Sequence, residues 1–166
     1  MEKLKITSRQ EEIIRTAGRL ISSNGLKSLT TKNLALEMGF SESALYKHFK
    51  NKEDIIVMLM AFLLENMEER LIPISTSEKT AAQLLRDIFE SQFHYFSQHP
   101  YLVVAILSEG LFNETEKIDL TIKNIIAFKS GLITEIMNRG VDQGDFTKKV
   151  PTSVLVHTIM GAFRLT

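Results

Sequence analysis

Apolar positions recur three and four residues apart along nearly the whole chain. No stretch shows sustained apolar/polar alternation between hairpin turns, so the pattern predicts helices and no strands. Ile13, Ala17, Leu20 and Ile21 share one face of a first helix over about residues 8–23, and Asn24-Gly25 stops it because both residues tolerate a left-handed backbone. Two short helices follow. Thr30 caps the first, which turns Leu34, Ala35 and Met38 inward and ends at Gly39. Ser41 caps the second, which runs through Ala44, Leu45 and Tyr46 to Phe49. Asn51 caps a fourth helix, with Glu53 and Asp54 in the first turn, where the helix dipole favours acid. That helix reaches Ile72 before Pro73, roughly 30 Å for some 20 residues. It holds the longest unbroken apolar run, ten residues from Ile55 to Leu64. A helix apolar all round must be covered all round, so this one is expected to join a small N-terminal unit to a larger body.

A fifth helix is expected over 80–98, stopped by His99-Pro100, and a short sixth over 101–112. A seventh starts within 113–116 and ends near Arg139-Gly140, followed by a turn over 140–149 with Gly140 and Gly144 as breakers. Pro151 opens an eighth helix that is still periodic at Thr166, so the sequence is read as cut inside it. The expected architecture is all-α: a three-helix helix-turn-helix domain at 1–52 and an antiparallel helical bundle at 53–166.

Composition narrows the function. Apolar residues at 44% suffice for a substantial core, and the absence of cysteine excludes disulfides, thiol catalysis and Cys-based zinc sites. Ten apolar residues in a row fall short of the roughly 17–25 that a membrane span needs. No apolar stretch near the start reads as a signal peptide, so a soluble, cytoplasmic protein is expected. The formal net charge of zero hides an asymmetry. Residues 1–52 hold ten Lys/Arg against five Asp/Glu, a balance of +5, and residues 53–166 hold ten against fifteen, a balance of −5. A basic end on an acidic body suits a local polyanion-binding module.

Residues 30–52 read TTKNLALEMGFSESALYKHFKNK. Ala35 is small where two helices must approach, Gly39 sits where a tight turn needs positive φ, and Leu45 and Phe49 give the second helix a buried face. Ser41, Glu42, Ser43, Ala44 and Lys47 are left outward. Short side chains near a helix N-terminus let its backbone approach base edges in the major groove, and these residue types can hydrogen-bond or touch bases there. Thr30, Thr31 and Lys32 on one side, and Tyr46, His48 and Lys52 on the other, supply donors for phosphates.

The segment resembles the DNA-binding region of the TetR family of transcriptional regulators. The residues that carry the likeness are Thr30-Thr31, Leu34-Ala35, Gly39, Leu45-Tyr46, His48-Phe49 and Lys52, at fixed spacing. The resemblance implies that Tyr46 and Lys52 contact phosphate and that Glu42, Ser43, Ala44 and Lys47 read or adjoin bases. It also implies double-stranded operator DNA as partner, a small-molecule effector held among helices four to seven, and a homodimer formed by the last helices. Pocket candidates are Met58, Phe62, Phe89, Gln92, Phe93, Phe96, Phe112 and Phe128, of which each aromatic, taken singly, reads more readily as ordinary core; Thr158, Gly161, Ala162 and Leu165 are the dimer candidates. Glu90 and His94 are spaced as two metal ligands on one face, but no second such pair accompanies them. A nucleophile elbow, a phosphate-binding glycine loop and paired carboxylates are absent, so neither catalytic residues nor a cofactor or metal is expected. The expected function is a repressor released by a small, largely apolar ligand. The alternatives are a DNA-binding regulator controlled by a protein partner and a helical metal-dependent enzyme.

Overall fold

The structure, a computed structural model, describes residues 6–107, 111 and 114–165, with side chains left out at 104–107 and 163–165. The described residues form helices and no strands: α1 (Ser8–Asn24), α2 (Thr31–Glu37), α3 (Glu42–Leu45), α4 (Lys52–Ser75), α5 (Ala81–Gln98), α6 (Pro100–Leu107), α7 (Glu116–Gln143) and α8 (Thr152–Leu165). They pack into two units, Met1–Asn66 with Phe96–Lys123, and Met67–Tyr95 with Asn124–Thr166.

Local chemistry places the helix starts in the first unit. Thr7 and Gln10 form a reciprocal capping box ahead of α1. Thr30 Oγ1 accepts from the Asn33 N–H at 3.0 Å, Ser41 Oγ from Ala44 N–H at 3.2 Å, and Asn51 Oδ1 from Asp54 N–H at 2.8 Å. These three caps stand where the sequence puts them. Each satisfies a donor that the first helical turn cannot. Gly39, at φ +66°, makes the turn between α2 and α3. Ile13, Ile14, Ala17, Ile21, Leu34, Ala35, Leu45 and Phe49 are buried, as are Ile55, Ile56, Leu59, Met60 and Leu63 of α4. The Tyr101 ring of α6 lies so near Gly18 of α1 that a Cβ there would be 2.7 Å from it. Arg15 Nη1 of α1 donates to the Tyr101 hydroxyl at 3.0 Å.

In the second unit α5 buries Ala81, Leu84, Ile88, Gln92 and Tyr95, the later part of α7 buries Leu132, Ile133, Ile136 and Met137, and α8 buries Val156. Asp145 Oδ2 accepts from the Ala81 N–H at 2.9 Å, and Arg139 donates to the carbonyls of Ser77 and Lys79 at 3.2 and 2.8 Å.

Two punctuation residues act differently from the sequence reading. α4 passes through Pro73 to Ser75. Proline removes a single N–H so near the helix end, and the Ser75 and Thr76 hydroxyls donate to the Ile72 carbonyl at 2.9 and 3.0 Å to close the turn. Gly140 does not break α7, which continues to Gln143. A Cβ at Gly140 would collide with the Phe146 ring and stand 2.8 Å from Ala81 Cβ, so this glycine serves close packing. The turn belongs to Gly144, at φ +82°. The expected end of the sixth helix at Phe112 lies outside the described residues.

Candidate nucleic-acid interface

α3 ends at Leu45 and not at the expected Phe49, and α3 with the turn after it is anchored by buried Leu45 and Phe49. Its opposite side is exposed at Ser41, Glu42, Ser43 and Lys47, with Ala44 half-buried. Thr30 and Lys32, at the start of α2, are exposed beside it, and Tyr46 is 50% exposed, a high value for an aromatic residue that has core available to it. The structure therefore gathers the predicted base readers on one face and sets the predicted phosphate donors Thr30, Thr31, Lys32 and Tyr46 around them.

Hydrogen bonds tie that face together. Thr31 Oγ1 donates to Glu42 Oε2 at 2.8 Å, and the Tyr46 hydroxyl donates to Thr31 Oγ1 at 3.4 Å. Ser41 and Ser43 share a hydrogen bond at 2.9 Å. The N-termini of α2 and α3 are thus cross-linked through Glu42, a link that sequence spacing cannot show. Lys52 points elsewhere, its Nζ 3.2 Å from Glu114 Oε1. His48 is half-buried and lines a groove with Phe49, Asp54, Val57 and Met58, closed on one side by the Lys117–Asp54 ion pair at 2.9 Å. The Lys117 hydrogen bond holds the Asp54 carboxyl below its ordinary pKa.

The ligand-pocket candidates fall in both units. Met58, Phe62 and Phe96 belong to the first unit and Phe89, Gln92, Phe93 and Phe128 to the second. Phe62 carries the Arg15 guanidinium over its ring at 5.3 Å. Gln92 is 1% exposed, whereas Phe93 is turned outward at 77%. Phe112 and the side chain of Leu165 lie outside the described residues. On α8, Thr158, Gly161 and Ala162 are exposed while Val156 is buried. Two polar residues that the sequence reading passed over, Arg70 and Lys129, stand beside Gln92 or its cavity. The available signal was a lysine whose neighbours at helical spacing, Ile125, Leu132 and Ile133, are all apolar. Among the described residues no group of three His, Cys, Asp or Glu could hold a metal ion, and no helix is long and apolar enough to cross a membrane.

Residues 13–59 match the family of bacterial regulatory proteins, tetR family. The nucleoid occlusion factor SlmA of Vibrio cholerae is 30% identical over 115 residues, which cover 69% of this chain and 59% of that protein. The chain thus spans about three fifths of that relative's length. The ketosteroid transcriptional regulator KstR2 of Mycobacterium tuberculosis superposes with a TM-score of 0.84 at 20% identity, over 97% of this chain and 82% of that one. The transcriptional regulator FadR of Bacillus subtilis, solved in complex with stearoyl-CoA, gives 0.79 at 21% identity, over 95% and 83%. At these identities the superpositions show the fold.

Proposed function

We propose that this chain, which belongs to the TetR family by its helix-turn-helix region and its fold, is an operator-binding transcriptional regulator that works as a homodimer and is released from DNA by a small, largely apolar ligand. The observation that carries the DNA-binding part is the exposed polar face of α3, with its buried anchor beneath and exposed donors around it. Ser43, Ala44 and Lys47 are assigned to base edges, and Thr30, Lys32 and Tyr46 to phosphates. Glu42 is placed to position Thr31 and Tyr46 as well as to meet a base. Half-sites about one helical turn (~34 Å) or more apart would suit two such helices.

The ligand part draws support from KstR2, a ketosteroid regulator by name, and from FadR, solved with stearoyl-CoA. A ligand must bind the non-DNA state more tightly, or it shifts nothing. α4 is one continuous helix from the Lys52 end, beside the recognition helix, to Ser75, and is the natural carrier of the shift.

The test is fluorescence anisotropy on the full-length protein with DNA from the promoters of its own and neighbouring genes, across a salt series. If each subunit neutralises three or four phosphates, log K falls against log salt with a slope of about −5 to −7. Salt-insensitive or undetectable binding overturns the DNA-binding reading.

A second reading has its own support. SlmA is named as a nucleoid occlusion factor, and the cavity beside Gln92 measures only about 10 Å³. In that reading a protein partner, not a small molecule, governs DNA binding. Operator release by a protein-free small-molecule extract decides for the ligand, and its failure decides for the partner.

A further inference from the structure

Lys52 closes the segment 30–52 and is the first residue of α4, where the sequence leads one to expect a phosphate donor. Lys47 and Lys50, the lysines before it, are exposed. Lys52 is half-buried, and its ammonium stands 3.2 Å from the Glu114 carboxylate. A lysine in the first turn of a helix faces the positive end of the helix dipole, a placement that is unfavourable unless an anion meets it. Here the anion is a side chain of the same chain, 62 residues away.

Glu114 makes one of three such ties. The Thr115 hydroxyl donates to the Glu53 carboxylate, and Lys117 Nζ donates to Asp54 Oδ1 at 2.9 Å. Lys52, Glu53 and Asp54, consecutive in the first turn of α4, are thus each bound to the segment 114–117 that opens α7. That segment is itself fixed. Thr115 Oγ1 accepts from the Ile118 N–H at 3.3 Å, and Ile118 and Ile122 are buried. All of these residues belong to the first unit.

The Lys52–Glu114 pair contributes little to folding, because its side chains are 32% and 36% exposed. Its effect falls on what the ammonium can do. A carboxylate 3.2 Å away offsets the positive charge and repels a phosphate that would share it. A lysine that neutralises a phosphate adds to affinity on every sequence, so one that is held by an acid is affinity withheld.

We propose that Glu114 is an internal competitor for the phosphate of Lys52, an autoinhibitory latch on the segment that opens α7, withholding one basic group per subunit from DNA. Withdrawal of residues 114–117 from α4 frees the ammonium and tightens DNA binding without regard to sequence. By reciprocity, DNA held by Lys52 loosens the start of α7. This role of Glu114 rests on the DNA-binding reading above.

The experiment is fluorescence anisotropy on the full-length protein, with a duplex from its own promoter and a scrambled duplex of the same length, across a salt series. Four proteins are compared: wild type, Glu114→Gln, Lys52→Met and the double variant. Glu114→Gln is expected to tighten both duplexes alike, about 2- to 5-fold per subunit and so about 4- to 25-fold for a dimer, the range that a partly exposed ion pair allows. Its slope of log K against log salt should steepen by about 0.9 per subunit. In the Lys52→Met background the same substitution should gain less than about twofold, since no ammonium is left to free. Loss of a negative charge as such would tighten binding with or without Lys52. A gain that persists undiminished in Lys52→Met, a gain with an unchanged slope, or one confined to the promoter duplex therefore overturns the latch. Circular dichroism melts establish that the variants fold, and Glu114→Ala takes the place of Glu114→Gln should that variant melt early. Binding by all four proteins that ignores residue 114 removes the latch and leaves the DNA-binding reading standing. Failure of all four to bind either duplex removes both.

Discussion

Lys129 shows how one largely buried side chain can cost the fold something. It sits among Ile125, Leu132 and Ile133, which are buried, and its ammonium is held down to about 8 by desolvation. Between pH 8 and the ordinary lysine value of 10.5 the unfolded chain holds a proton that the folded chain does not, so folding becomes more favourable as pH rises through that window. Below pH 8 both states are charged and the full cost is present. Lys129→Met is therefore expected to raise stability by about 1–3 kcal/mol at pH 7, the range allowing for partial exposure of the ammonium. The gain should shrink across the window and leave only a packing residue above it. Urea unfolding of both proteins at several pH values measures this, and a gain independent of pH would assign the effect to packing alone. On the proposed DNA face, single residues are expected to separate by role. Tyr46→Phe is expected to weaken cognate and scrambled duplexes by the same factor, about 1 kcal/mol, because a phosphate is present at every position. Lys47→Ala is expected to cost about 1–3 kcal/mol on the cognate duplex and much less on the scrambled one. Anisotropy titrations on both duplexes read the difference, and equal losses for the two variants would undo the division of roles.

Among the elements, those that announce their own ends were legible. Thr30, Ser41 and Asn51 cap the helices that the sequence assigns to them, because a cap is a bond between residues three apart and needs no tertiary information. The face of α5 was not legible in the same way. Phe89, Phe93 and Phe96 draw the eye to one edge of the helix, but burial follows Ala81, Leu84, Ile88, Gln92 and Tyr95. At 100° per residue, position 93 falls about 140° from the centre of that face, and the Phe93 ring points outward. Gly140 failed for a related reason: a glycine that ends a helix and a glycine that admits a neighbour look alike until the neighbour is known. The structure names the neighbour as Phe146 and so reverses the usual sign of a substitution. Gly→Ala inside a helix ordinarily gains about 1 kcal/mol. At Gly140 the added methyl has no room, and Gly140→Ala is expected to destabilise by about 1–3 kcal/mol. Combining it with Phe146→Ala should recover part of the loss relative to Phe146→Ala alone, as the ring that blocks the methyl is removed. Thermal melts of the four proteins complete the double-mutant cycle, and strict additivity would dismiss the contact as the cause.

Taken as a whole molecule, the chain divides its charge, +5 over residues 1–52 and −5 over the remainder. The basic end alone offers few phosphate contacts, so operator affinity should depend strongly on how many such ends are presented together. α8 supplies a surface on which two copies could meet. It buries Val156, with Leu155, Ile159 and Met160 packed around the same cluster, and leaves Val154, Thr158, Gly161 and Ala162 exposed in a row at helical spacing. A Cβ built at Gly161 meets nothing within 4 Å, so a large side chain there spares the fold of each chain and disturbs only what packs against it from outside. Gly161→Arg in the full-length protein is therefore expected to keep the melting temperature of the chain while shifting sedimentation from dimer to monomer. The same variant should lower the salt slope on operator DNA from about −5 to −7 to roughly −3, since a slope counts phosphates neutralised and one subunit supplies half of them. The two measurements check each other. A monomer that retains the full slope would mean that each helix-turn-helix touches about twice the phosphates assumed, and a dimer that survives the arginine would move the interface off this row of α8.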